Sequence, residues 1–206
     1  MVKKWPILLL IILVFTTVLT LSSCGQDNRV VLNVYNWGDY IDESVINEFE
    51  KKYNIRVNYD TFSTNEDMYV KVKSGGSNYD VLFPSDFTIE RMVKEDMLLK
   101  LDYNNIPNAQ YIEERFKHLD YDPQNEYSVP YMWGTVGIIY NKTMVHEPVT
   151  SWRILWDEKY SKQLLMLDSQ RDSIGVALKM LGYSMNTLNL EELEAAKQAL
   201  IKQKPL

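Results

Sequence analysis

Val31, Leu32, Val34 and Tyr35 form a short apolar run with few polar interruptions, the pattern of a parallel strand covered on both faces. The run stops at Asn36, and Asn36 to Tyr40 read as a connection. Asp42 is placed to cap a helix whose apolar positions Val45, Ile46, Phe49 and Tyr53 share one face. Ile55 to Tyr59 alternates apolar and polar at period two, which predicts a strand at or near a sheet edge. Ser63-Thr64-Asn65-Glu66 has the spacing of a capping box and opens a helix through Met68, Tyr69 and Val72, ended by Gly75 and Gly76. Asp80 to Pro84 is a third short buried strand, followed by a helix holding Ile89, Met92 and Val93. Strands and helices in strict alternation imply an α/β fold with a parallel sheet and right-handed crossovers. The loops 36–40 and 85–87 then emerge at the same sheet edge.

Beyond Leu98 the pattern loosens into Asn, Pro and Asp turns around one short helix containing Tyr111, Ile112 and Phe116. Val136 to Tyr140 reads as a further strand, and the proline, aromatics and glycine before it suggest a hinge. A short amphipathic helix over Trp152 to Tyr160, capped by Ser151, precedes a buried strand at Leu164 to Leu167. The next helix carries Ile174, Ala177, Leu178 and Leu181 on one face, with Gly182 at its C-cap. A last helix, capped by Asn189, carries Leu193, Ala196, Leu200 and Ile201. The boundaries are a leader at 1–23, a tether at 24–30, a first lobe at 31–134 and a partial second lobe at 135–206. Two strands cannot cover the faces of that second sheet, so the expectation is a piece of a longer protein.

The leader changes the picture most. Lys3 and Lys4, an apolar run from Ile7 to Leu21 and the sequence Leu21-Ser22-Ser23-Cys24 describe an export signal rather than a membrane span, which needs ~20 apolar residues. Leu-Ser-Ser-Cys resembles the lipobox of bacterial lipoproteins, which makes Cys24 the expected lipid anchor. It is the chain's one cysteine, so the folded part has no thiol for a disulfide, a metal or a nucleophile. The 22 basic residues less Lys3 and Lys4 leave 20 against 28 acidic ones, a formal charge of −8 after the leader. That balance argues against nucleic acid and mildly favours cationic ligands.

The first loop offers an indole, a phenol and a carboxylate at Trp37, Asp39 and Tyr40, beyond the carboxyl end of a strand, where open α/β sheets bind ligands. Those groups suit an organic cation. They suit equally a sheet edge closed by aromatic packing, and the loop alone leaves both open. Ser169 and Asp172 have capping-box spacing, so helix capping and ligand contact are both open there too. His118 and His146 lie in polar surroundings and read as surface residues.

Taken together, NVYNWGDYI (33–41), STNEDMYVKVKSGGSNYDVLFPSDF (63–87), YSVPYMWGTVGIIYNK (127–142), VTSWRILWDEKY (149–160) and RDSIGVALKMLGYSMNT (171–187) resemble the spermidine/putrescine-binding proteins of bacterial ABC importers. The resemblance implies a type II periplasmic-binding-protein fold, in which two α/β lobes close over a polyamine, with a C-terminal portion missing. It implies ligand contacts from Trp37, Gly38, Asp39 and Tyr40, from Ser85 and Phe87, and from Ser169 and Asp172. Phe87 stands where a tyrosine is common, and Ser169 where a carboxylate is expected. That departure bears on the choice between diamine and triamine.

The expected function is therefore a lipid-anchored polyamine receptor, a monomer that delivers its ligand to a membrane permease, with no cofactor, metal or catalysis of its own. The alternatives are a receptor for thiamine or ferric ion, a secreted hydrolase built on Asp39 and Asp172, and an inactive truncated lipoprotein. Iron would require converging tyrosines with a histidine or carboxylate, and no such set is visible. If Trp37 is a ligand wall rather than core, Trp37→Ala should leave the melting temperature nearly unchanged.

Overall fold

The computed structural model describes residues 27–76 and 78–206. The expected leader and Cys24 lie outside them. Strand β1 (Val30–Trp37) runs two residues past the end of the apolar run, taking in Asn36 and Trp37. It pairs in parallel along its full length with β2 (Ile55–Phe62), from Val30 opposite Ile55 to Trp37 opposite Phe62. On its other side it pairs with β3 (Val81–Leu82), giving the order β2-β1-β3 with β2 at the edge. Backbone bonds continue the β3 pairing beyond its two residues, from Asp80 N to Asn33 O (2.9 Å) and from Phe83 N to Tyr35 O (3.1 Å). Pro84, lacking an N–H, ends it.

Helices cross between the strands. Helix α1 (Glu43–Tyr53) starts at Asp42, whose carboxylate accepts from Ser44 N, and ends at Asn54 in the left-handed region. Helix α2 (Asn65–Lys73) is capped by Thr64, which accepts from Asp67 N at 3.1 Å, one residue later than the capping box suggests. Helix α3 (Asp86–Lys94) follows β3. Paired residues of parallel strands share a face, and Tyr35, Trp37 and Phe62 point together toward α2 and α3. There they join Met68, Tyr69 and Met92 in the first core. The opposite face receives α1, where Glu50 accepts from Val57 N at 2.6 Å. No residue of α1 is buried, and Val45, Phe49 and Tyr53 of its apolar stripe are exposed.

After α3 the expected short helix around Tyr111 is replaced by three 3₁₀ turns at Tyr103–Asn105, Pro107–Tyr111 and Glu114–Phe116. Pro and Asn repeatedly interrupt the α-helical ladder there. Trp152 to Tyr160 likewise forms two 3₁₀ turns rather than one helix. Asp157 divides them because its carboxylate accepts from Lys159 N and restarts the chain.

The two strands expected at 136–140 and 164–167 are absent among the described residues. Both segments have the composition of a strand, but a ladder needs a neighbour, and none is presented to them. Ile139 is 100% exposed and Leu165 96%, the reverse of the burial their sequence suggests.

Helices α4 (Gln170–Leu181) and α5 (Leu190–Gln203) do form, on a second hydrophobic cluster built from Ala177, Leu178 and Ala196 with Trp156, Leu181 and Leu200. Gly182, at φ +91°, closes α4, and Tyr183 N bonds back to Leu178 O, the pairing of a Schellman cap. Ile174 and Ile201, expected on the core faces, are exposed, while Val176, Ala199 and Gln203 are buried.

Candidate functional site

Because β1 runs on to Trp37, the first loop contracts to Gly38, Asp39, Tyr40 and Ile41. Trp37 N bonds the Asn36 side-chain oxygen at 2.7 Å, and the indole is half-buried. One side of it lies on Phe62, with ring centroids 4.6 Å apart, and Tyr40 approaches at 5.8 Å. Trp37 therefore packs on the first core, as the aromatic-packing reading expects, with Tyr40 beside it. Tyr40 (41% exposed), Gly38 and Asp39 stand in solvent. A Cβ at Gly38 would meet nothing within 4 Å, so no close approach demands glycine there.

A residue that sequence reasoning assigned to the hinge completes the loop. The Tyr131 hydroxyl donates to Tyr40 O at 2.5 Å, and its ring sits edge-on to Phe83 at 4.9 Å. Asn36 Nδ2 and the Tyr59 hydroxyl are both buried, and they neighbour one another. Burial pushes the Tyr59 phenol up, and the neighbouring Asn36 amide partly offsets this. The Trp133 ring lies tilted against Phe116 at 5.7 Å and is otherwise exposed.

Ser85 occupies the N-cap position of α3, yet its side chain makes no cap bond. Its hydroxyl accepts from Asn65 Nδ2 at 3.0 Å, and its backbone N–H donates to Asn65 Oδ1 at 2.9 Å. Phe87, half-buried, borders a small crevice of about 70 Å³ between α2 and α3, together with Asn65, Tyr69 and Arg91. A larger open groove of about 540 Å³ between Trp156, α4 and α5 shares no residue with the predicted loops.

At the other loop Ser169 is the helix cap, its hydroxyl accepting from Asp172 N at 3.3 Å. Asp168 is exposed and Asp172 half-buried. The two sets of predicted residues meet through Arg171, whose guanidinium lies 5.7 Å from the Phe87 ring while Nη2 donates to Asn186 at 2.8 Å. Phe87 and Arg171 are each the second residue of a helix, so this one long side chain reaches from the first turn of α4 to that of α3. Helix N-termini repel cations, so acceptors for a cation at these loops would have to come from side chains. Electron-rich rings at Trp37 and Tyr40 add attraction for an ammonium, ~0.5–2 kcal/mol each. Among the described residues no cluster of three or more His, Cys, Asp or Glu could hold a metal ion.

Residues 44–205 match the bacterial extracellular solute-binding protein family. The chain is 36% identical over 189 residues to the spermidine/putrescine-binding periplasmic protein of Escherichia coli, an alignment covering 91% of this chain and 54% of that relative. It is 37% identical over 194 residues to a putrescine-binding periplasmic protein of Pseudomonas aeruginosa, covering 88% and 53%. Among solved structures it is similar to a putative spermidine/putrescine ABC transporter protein of Listeria monocytogenes, with TM-score 0.81 and 44% identity over 85% of this chain and 55% of that one. A lipoprotein of Treponema pallidum gives TM-score 0.79 and 40% identity, covering 85% and 56%. An iron-bound protein of Pseudomonas aeruginosa, at 18% identity and TM-score 0.53, shares the fold alone. The chain spans about half the length of the curated relatives it matches. Its α/β architecture is that of the periplasmic binding proteins.

Proposed function

Since the chain belongs to the bacterial extracellular solute-binding protein family, we propose that it is the receptor of an ABC importer for polyamines, taking up spermidine or putrescine and passing it to a membrane permease. The observation that carries this reading is the Trp37–Tyr40 aromatic pair beside the exposed carboxylate of Asp39, at the carboxyl end of β1. A polyamine needs what that arrangement offers. Its ammonium groups must replace lost hydration with carboxylates and ring faces, and its methylenes want flat apolar walls.

In this reading Trp37, Gly38, Asp39, Tyr40, Ser85 and Phe87 receive the ligand from one side, and Ser169 and Asp172 from the other. Asp172 supplies charge there and Ser169 a hydroxyl already engaged in capping. The protein works as a monomer held to the outer face of the membrane through a lipid on Cys24, and performs no chemistry. Calorimetric titration with spermidine, putrescine, thiamine and ferric citrate tests it. A saturable heat with a polyamine and none with the other two is expected; saturation by thiamine or ferric citrate alone would overturn it.

A further inference from the structure

Asn65 is 5% exposed, and both ends of its amide are spent on one residue twenty positions away. The orientation of that amide is fixed by chemistry. The Ser85 backbone N–H can only donate, so the atom it meets is Oδ1, and Nδ2 must be the atom facing the Ser85 hydroxyl. Ser85 thus receives a hydrogen bond from Asn65, which occupies one lone pair of its oxygen. The hydroxyl proton and the second lone pair are left on the side away from Asn65. A serine at a helix start ordinarily turns its oxygen onto the helix N–H groups, and Ser85 does not.

We propose that Asn65 is a positioning residue of the ligand site: it withholds the Ser85 hydroxyl from helix capping and presents its remaining lone pair to a ligand ammonium. The inference rests on the polyamine-receptor reading, in which Ser85 touches the ligand. It adds a residue with no place in the predicted contact set. The crevice beside Asn65 and Phe87 leaves room for the amide to be altered without a clash.

Two substitutions separate positioning from mere support. Asn65→Ala removes both bonds. Asn65→Asp keeps the acceptor for the Ser85 N–H, takes the hydroxyl proton on its second oxygen and frees both serine lone pairs; an acid in the first turn of α2 also suits the helix. The proteins to compare are wild type, Asn65→Ala, Asn65→Asp, Ser85→Ala and Asn65→Ala with Ser85→Ala, by calorimetry with spermidine and putrescine and by thermal unfolding. Asn65→Ala is expected to weaken binding about 3- to 10-fold, with little further loss when Ser85 is already alanine. Asn65→Asp should bind at least as tightly as wild type. Wild-type binding that survives Asn65→Ala unchanged, or an equal loss in the Ser85→Ala background, overturns this inference alone. Absence of polyamine binding in wild type overturns the receptor reading and this inference with it. Should Asn65→Ala not fold, Asn65→Asp decides: binding weaker than wild type would sink the proposal.

Discussion

Trp37 and Phe62 are register partners at the paired ends of β1 and β2, and their rings lie 4.6 Å apart on the face that α2 and α3 cover. The indole is therefore anchored on Phe62, with the Tyr40 ring tilted beside it at 5.8 Å. Trp37→Ala is expected to cost about 3 kcal/mol of stability as well as ligand affinity, because it opens a cavity over Phe62. This revises the sequence expectation of an unchanged melting temperature. Tyr40→Ala, at an exposed position, should leave stability within about 1 kcal/mol and weaken polyamine binding roughly 2- to 30-fold. Thermal unfolding and calorimetry on both variants check the division.

Asp122 is 4% exposed and accepts four hydrogen bonds, from Glu126 N, Tyr127 N, Ser128 N and the Ser128 hydroxyl, at 2.8 to 3.0 Å. It fixes the turn from which the chain runs on to Tyr131. Asp122→Ala leaves three half-buried N–H groups without their acceptor and should destabilise by about 2–4 kcal/mol. A lowered urea midpoint at unchanged slope is the expected result.

Two glycines, one inside α4 and one closing it, should respond differently. Gly182 sits at φ +91°, so Gly182→Ala is expected to cost about 1–2 kcal/mol. At Gly175 a Cβ would meet Met185 Cε at 2.7 Å, the far end of a flexible side chain. Helix propensity gained there, about 1 kcal/mol, offsets the shift of Met185, so Gly175→Ala should be near neutral. Chemical denaturation of the two variants side by side compares them.

Glu95 accepts from Lys73 at 2.8 Å, from the Tyr69 hydroxyl at 2.6 Å and from Arg91 at 3.1 Å, and these partners, Lys73 foremost, hold its carboxyl down to about 2. An unfolded glutamate titrates near ~4.3. The stability that Glu95 contributes is then complete above ~4.3 and is lost as the pH falls toward about 2. The gap in denaturation midpoint between wild type and Glu95→Gln should narrow steadily over that range. A gap that stays constant would show that the cluster adds nothing.

What could be read from the chain alone was set by distance along it. Caps at Asp42, Ser169 and Asn189 and the glycine stop at 182 are local devices, and each stands where the sequence placed it. The parallel order of the first three strands followed from the alternation of elements. Val136 to Tyr140 and Leu164 to Leu167 were misread because strand composition says nothing about whether a pairing edge is available. The loops divide likewise: those at Gly38 to Tyr40 and at Ser85 follow strands as the sequence placed them, whereas the bonds from Asn65 to Ser85 were hidden inside a capping motif. Tyr131 was hidden by ninety-one positions of chain.

That last separation orders events in time. Tyr40 O takes its bond from Tyr131, so the loop that carries the aromatic wall is finished by a residue reached only after all three strands and their helices. Closing so long a loop costs chain entropy that is repaid only once the sheet already stands. The sheet can therefore assemble with the loop at Tyr40 still loose, and the bond from Tyr131 is expected to close after it.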